Sequence, residues 1–306
     1  MTELTIKKSS KKSSALIIAA IGVIFYSTKA VFVKMAYVYG IDPLTLMFYR
    51  LLFATPFYLV VWVTYNFKHK NETKPNFKDT LLLLFLGIIG YYLSSLFDFV
   101  GLQYIDASLE RLILFIYPTI VIILSRVFLK KKVTRKQLLA IGLTYVGVFV
   151  IFSQNIFQEN NSDDVFLGAS LIFLCAFSYA TYLVGSNALL PKLGTVNFIT
   201  YVMITSLIAV ITHYYIVWGF NFTVYPSEVY IISILMAIVS TVLPSYLISE
   251  AIKRAGANTV GIMGSLGPVS TISLSMIFLG ESLTIIQYLG ALIILGGIFI
   301  ITKRNS

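Results

Sequence analysis

The sequence predicts an all-α integral membrane protein of ten transmembrane helices, arranged as two inverted five-helix repeats. Composition, the spacing of apolar runs with the charges between them, and an internal repeat carry that prediction. Of 306 residues, 58% are apolar and only 12% charged, with a mean hydropathy of +0.87. Soluble domains carry about a quarter charged residues. This chain has too little polar surface to cover a water-facing globule, and lipid as solvent removes that difficulty. The net charge of +10 does not point to nucleic acid, because the basic residues cluster in short loops between apolar runs.

Runs long enough to cross about 30 Å of hydrocarbon recur at 15–36, 44–66, 80–101, 106–128, 137–154, 166–187, 197–218, 228–250, 257–278 and 284–302. They divide the chain into a basic N-terminal tail (1–14), a first five-helix repeat (15–154), an external polar linker (155–165), a second repeat (166–302) and a short tail (303–306). Nothing reads as a cleavable signal peptide: the apolar stretch from Ala15 is too long for a signal core and serves as the first span. No segment alternates like the strands of a membrane β-barrel.

Charge sets the orientation. With the N-terminus in the cytosol, all of the 23 lysines and arginines fall in inside segments except Lys29, Lys34, Arg50 and Arg111. The outside loops hold Asp42, Asp106, Glu159, Asp163, Asp164, Glu228 and Glu281, but no lysine or arginine. This asymmetry predicts a multi-pass protein of the cytoplasmic membrane with both termini cytosolic.

The third observation is the repeat. Residues 101–151 align without gaps to 251–301, and thirteen of 51 pairs are identical. Among them are Ala107/Ala257, Pro118/Pro268, Phe128/Phe278, Thr134/Thr284, Gln137/Gln287 and Gly147/Gly297. Five spans per repeat is an odd number, so the halves are inverted. Inverted repeats with a binding site where the halves meet are a mark of secondary transporters.

The segment Leu279-Gly280-Glu281-Ser282-Leu283-Thr284, followed by Gln287 and Gly290, resembles the repeat end of the EamA family in the drug/metabolite transporter superfamily. The first repeat shows the same frame in Phe128-Leu129-Lys130-Lys131-Lys132-Val133-Thr134 with Gln137, although lysine (Lys131) stands where that family has an acid. Gly101-Leu102-Gln103-Tyr104, Pro118 and Arg50 also fit the family's pattern. The resemblance implies ten spans, cytosolic termini, alternating access and export of metabolites such as amino acids.

Ionisable residues inside spans cost a few kcal/mol each on insertion scales and need a partner or water. The candidates are Lys29, Arg50, Asp98, Glu110, Arg111, His213 and Glu250. At 1.5 Å per residue, Lys29 lies roughly 20 Å from the cytosolic start of the first span and Asp98 roughly 27 Å along the third. Arg50 and Glu110 lie roughly 6–10 Å below the outer surface on the same reckoning. The spacing allows Lys29 to pair with Asp98, and Arg50 or Arg111 with Glu110. These groups either line a polar pathway, with Asp98 or Glu110 as a proton-coupling carboxylate, or tie spans one to four together. His213 shows no partner in the sequence, and Glu250 has Lys253 and Arg254 nearby for a surface ion pair.

Tyr26, Tyr92, Tyr117 and Tyr179 are the tyrosines chosen as pathway-lining. Pro118, Pro244 and Pro268 are expected to kink their helices and serve gating. Gly290, Gly296 and Gly297 permit close helix contact, and a homodimer through span ten follows as one option.

Cys175 is the one cysteine, which excludes an intramolecular disulfide. No Walker A, HExxH or GxSxG pattern occurs, and two histidines give little scope for a metal. The chain is read as no enzyme and as needing no cofactor. The expected function is secondary transport, outward, of amino acids or related zwitterionic or anionic solutes, with protons as a further partner. Two alternatives stand beside it: an antiporter of phosphorylated metabolites, and a non-transporting membrane assembly or receptor subunit.

Overall fold

A computed structural model describes residues 2–68, 74–130, 135, 138–139, 142–143, 145–147, 149–150, 162–219, 223–264, 266–281 and 284–302. Among the described residues every regular element is helical. In chain order these are α1 (Thr2–Tyr37), α2 (Pro43–Lys68), α3 (Phe77–Gly87), a π-helical turn (Ile88–Leu93), α4 (Ser94–Tyr104), α5 (Ala107–Leu114) and α6 (Tyr117–Leu129). There follow α7 (Ser162–Trp218), α8 (Ser227–Ala237), a second π-helical turn (Ile238–Val242), α9 (Leu243–Ala255), α10 (Ala257–Met263), α11 (Leu266–Phe278) and α12 (Ile285–Thr302). Among the described residues six helical stretches are long and apolar enough to cross a membrane.

Local chemistry explains the boundaries. The segment ahead of Ala15 has neither glycine nor proline, so α1 begins at Thr2 and the tail expected outside the first span is helical. Asn76 and Asp79 form a reciprocal capping box that starts α3. Asp42 accepts from the Thr45 amide at 2.9 Å and starts α2. The expected spans 166–187 and 197–218 lie within the single long α7. At 1.5 Å per residue its 57 residues would reach roughly 85 Å, far beyond the hydrocarbon thickness. Gly194, at φ 74° and ψ 162°, breaks it into two arms; only glycine adopts that backbone without strain.

The expected proline kinks take another form. Pro118 and Pro244 stand in the first turn of α6 and α9, and Pro268 is the third residue of α11. There proline sacrifices no helical hydrogen bond. The interruptions lie just ahead of the prolines: residues 115–116 between α5 and α6, the second π-turn before α9, and the end of α10 at Met263 ahead of α11.

The two halves of the chain interleave. Helix α1 packs on α9 and α11, and α7 packs on α2, α3, α4 and α9. Gly101 and Gly168 allow α4 and α7 to approach until a Cβ on Gly101 would lie 3.2 Å from the Gly168 carbonyl. Val60, Phe67, Phe149, Phe166, Ile216 and Ile277 stay exposed on the outward faces, as a lipid surround requires and water would not favour. Half of the expected fifth span (137–154), most of the linker 155–165 and all of the tail 303–306 fall outside the described residues, as do Lys131, Lys132, Thr134 and Gln137.

Candidate functional site

The two π-helical turns both contribute to one cavity. A π-turn widens the helix by one residue, turning side chains that a regular helix would carry past. Gly90 and Tyr91 from the first, with Ser95 just beyond it on α4, and Ser240 and Thr241 from the second, with Ser245 just beyond it on α9, line this cavity. The two sets stand 150 residues apart, the offset of the sequence repeat. Tyr26, Arg50, Tyr179 and Ile248 complete the wall. As it stands the space is narrow: about 10 Å³ admits water-sized molecules, room for about one water.

The Tyr26 and Tyr179 rings stack at 5.8 Å with only 9° between their planes. Arg50 is buried and donates through a terminal nitrogen to Ser95 Oγ at 2.9 Å. Its guanidinium also lies 4.9 Å from the centre of the Phe99 ring. Its Nε has no hydrogen-bond partner among the described residues. Opposite, Ser240 and Thr241 both donate to the Met236 carbonyl, at 2.8 and 2.9 Å. Their oxygens therefore keep lone pairs for an incoming donor.

A second polar cluster lies behind Tyr26. Lys29 Nζ is 2.8 Å from Asp98 Oδ2, so the pairing allowed by the spacing is realised. Lys29 also donates to the Tyr26 hydroxyl at 3.4 Å. Arg111 Nε donates to Thr271 Oγ1 at 2.7 Å and sits at the 4.0 Å limit from Glu110 Oε2. Neither Glu110 oxygen has a hydrogen-bond partner among the described residues. Arg50 does not join this cluster, which corrects its expected pairing with Glu110: the rotation of α2 brings it to Ser95 instead.

The remaining candidates lie elsewhere. Tyr92 does not line the cavity; its hydroxyl meets His213 Nδ1 at 3.0 Å, giving that histidine the partner invisible in the sequence. Tyr117 packs edge-on against Tyr179 at 5.3 Å, one layer back. Glu250 bonds Arg254 at 2.7 Å and Thr195 at 2.6 Å, at the foot of the second arm of α7. Tyr91 and the four hydroxyl residues of the cavity were not singled out. The repeat held the signal: carried back along the chain, the same offset pairs Ile88 with Ile238, Leu93 with Leu243 and Ser95 with Ser245.

The ends of the bundle are also tied. Glu281 accepts from the backbone amides of Ala107 and Ser108 at 3.1 and 3.0 Å, and from Ser108 Oγ at 2.6 Å. It caps α5, whose own N-cap residue Asp106 makes no side-chain cap bond. Lys192 bonds Asp79 at the other end.

A helical membrane bundle with a polar cavity at its centre, gripped from both halves, defines a membrane transport protein. The EamA-like transporter family model matches residues 13–153 and 166–303, and the chain belongs to that family. It is 30% identical over 301 residues to the uncharacterized transporter YcbK of Bacillus subtilis, covering 96% of this chain and 93% of that protein. An uncharacterized transporter of Archaeoglobus fulgidus is 24% identical over 305 residues, covering 96% and 99%. A solved crystal structure shares the fold with a TM-score of 0.70 and 14% identity, covering 95% and 96%. The protein is thus a membrane transporter and not an enzyme, which sets aside the non-transporting assembly or receptor reading.

Proposed function

We propose that this chain is a secondary active exporter of amino acids or related zwitterionic or anionic solutes across the cytoplasmic membrane. Its frame is ten spans in two inverted repeats with cytosolic termini. One observation carries the reading: the central cavity is lined by matched positions of the two halves, 150 residues apart. Alternating access needs a site that both halves hold, so that rocking one against the other exposes it to either side. The two π-turns begin 150 residues apart, as Pro118 and Pro268 stand 150 apart, and this suits inverted repeats. The outward direction follows the family resemblance. Asp98 and Glu110 are the carboxylates available for proton coupling, and dimerisation through span ten remains part of the proposal. An antiporter of phosphorylated metabolites would need two bases converging on the cavity, whereas among the described residues Arg50 alone of the buried bases lines it.

Proteoliposome flux of labelled amino acids, organic anions and organic cations, with and without a pH gradient, tests this. Saturable flux of a zwitterion or anion is the expected result, with its proton dependence removed by Glu110→Gln. Flux of organic cations alone would overturn the substrate class, and no flux of any solute would overturn the transporter mechanism proposed here.

A further inference from the structure

We infer that Arg50 is the anchor for the carboxylate of the transported solute, and that Ser240 and Thr241 receive its ammonium from across the cavity. The inference deepens the proposed function and rests on it.

A buried guanidinium without a counter-charge is costly, and such groups in a membrane interior mark substrate paths. Arg50 is 3% exposed. Among the described residues no carboxylate lies within ion-pair distance of it, and its contacts, Ser95 and the Phe99 ring, are both neutral. Asp98, the acid between those two on α4, is held by Lys29 instead. Arg50 nevertheless faces the cavity with Nε unpartnered. A planar guanidinium with a free N–H matches a carboxylate, which would supply both the missing charge and the missing acceptor.

The opposite wall has the complementary chemistry. The hydroxyl protons of Ser240 and Thr241 are committed to the Met236 carbonyl, so toward the cavity these residues can only accept. An ammonium offers donors alone. The charge therefore lies on the first half and the acceptors on the second. A solute with both groups on one carbon, as in an α-amino acid, bridges the halves, and the stacked Tyr26 and Tyr179 rings leave an apolar wall for its side chain.

The test is ligand-dependent thermal unfolding of the purified full chain in nanodiscs. The probes are the twenty L-amino acids, each beside its α-amide, which lacks the carboxylate, and its deaminated acid, which lacks the ammonium. In the wild type at least one amino acid raises the midpoint, and its amide is weaker on the order of tenfold to a hundredfold, the range for a lost charged hydrogen bond. Arg50→Gln removes the preference for acid over amide. Thr241→Val spares that preference and removes the discrimination against the deaminated acid, so it decides the matter if Arg50→Gln does not fold. Arg50→Lys binds the amino acid more weakly than wild type, because a lysine cannot present the fork.

Acid-over-amide preference that survives Arg50→Gln overturns the inference, as does a wild type that no amino acid stabilises. In that second case, flux of some other solute leaves the transporter reading standing with this grip wrong. Binding with the predicted preferences but without flux does the reverse.

Discussion

Lys29 and Asp98 are each buried to 1% exposure or less, and each makes the other tolerable. Removing one partner of a buried pair leaves an uncompensated charge, at about 3–5 kcal/mol, whereas replacing both by apolar groups of similar size is close to neutral. Lys29→Met and Asp98→Leu should therefore each lower the thermal unfolding midpoint sharply, and the double substitution should recover most of the loss. Equal or additive losses would show that the pair is not the main interaction of either residue. The sequence showed both residues and a workable depth for each, because ionisable groups stand out in apolar runs. It did not show that Arg50 stands apart from the cluster. The rotation of α2 about its axis sets that, and no single residue reports it.

At the scale of the element, the two π-turns matter most. Gly90 sits where a Cβ would fall 2.5 Å from the Tyr182 Cβ, and α7 backs this wall of the cavity. Gly90→Ala should destabilise the protein by about 1–3 kcal/mol through overpacking, read as a lower unfolding midpoint in detergent. An unchanged midpoint would mean that the turn and α7 part easily. Helix α5 makes the complementary case. Its N-terminus borrows a cap from Glu281, 174 residues away along the chain. Glu281→Ala should cost about 1–2 kcal/mol, as loss of a cap does, and Glu281→Gln, which keeps acceptor capacity, should cost less. Unfolding midpoints that do not separate the two variants would refute the capping role. The sequence marked Glu281 as a family residue and an outside acid. Its partner was hidden because a cap supplied from a distant loop leaves no local spacing to read. The helices themselves were legible, since apolar length dictates them. The π-turns were not, as one extra residue in a helix changes no hydrophobic pattern.

At the scale of the molecule, interleaving of the halves and the polarity of the ends give a topology that can be tested. In a Cys175→Ala background, Asp163→Cys should react with an impermeant maleimide added outside intact cells, and Lys192→Cys should react only after permeabilisation. Labelling of both from one side would refute an even number of spans between the N-terminus and Lys192 together with the proposed orientation. The bond between Lys192 and Asp79 puts the two at one end of the bundle, and the labelling decides whether that end is the inside.

What the sequence determined by itself was the solvent, the helical class, the repeat and the family. Each of these is written in composition or in spacing along the chain, and lipid leaves a hydrogen-bonded helix as the natural answer to an apolar run. Only the tertiary structure decided which polar residues face the cavity. Arg50, Ser240 and Thr241 line it together because the second widened turn and the rotation of α2 bring them to one cavity. That convergence is a matter of packing between segments nearly 200 residues apart, and no local pattern encodes it.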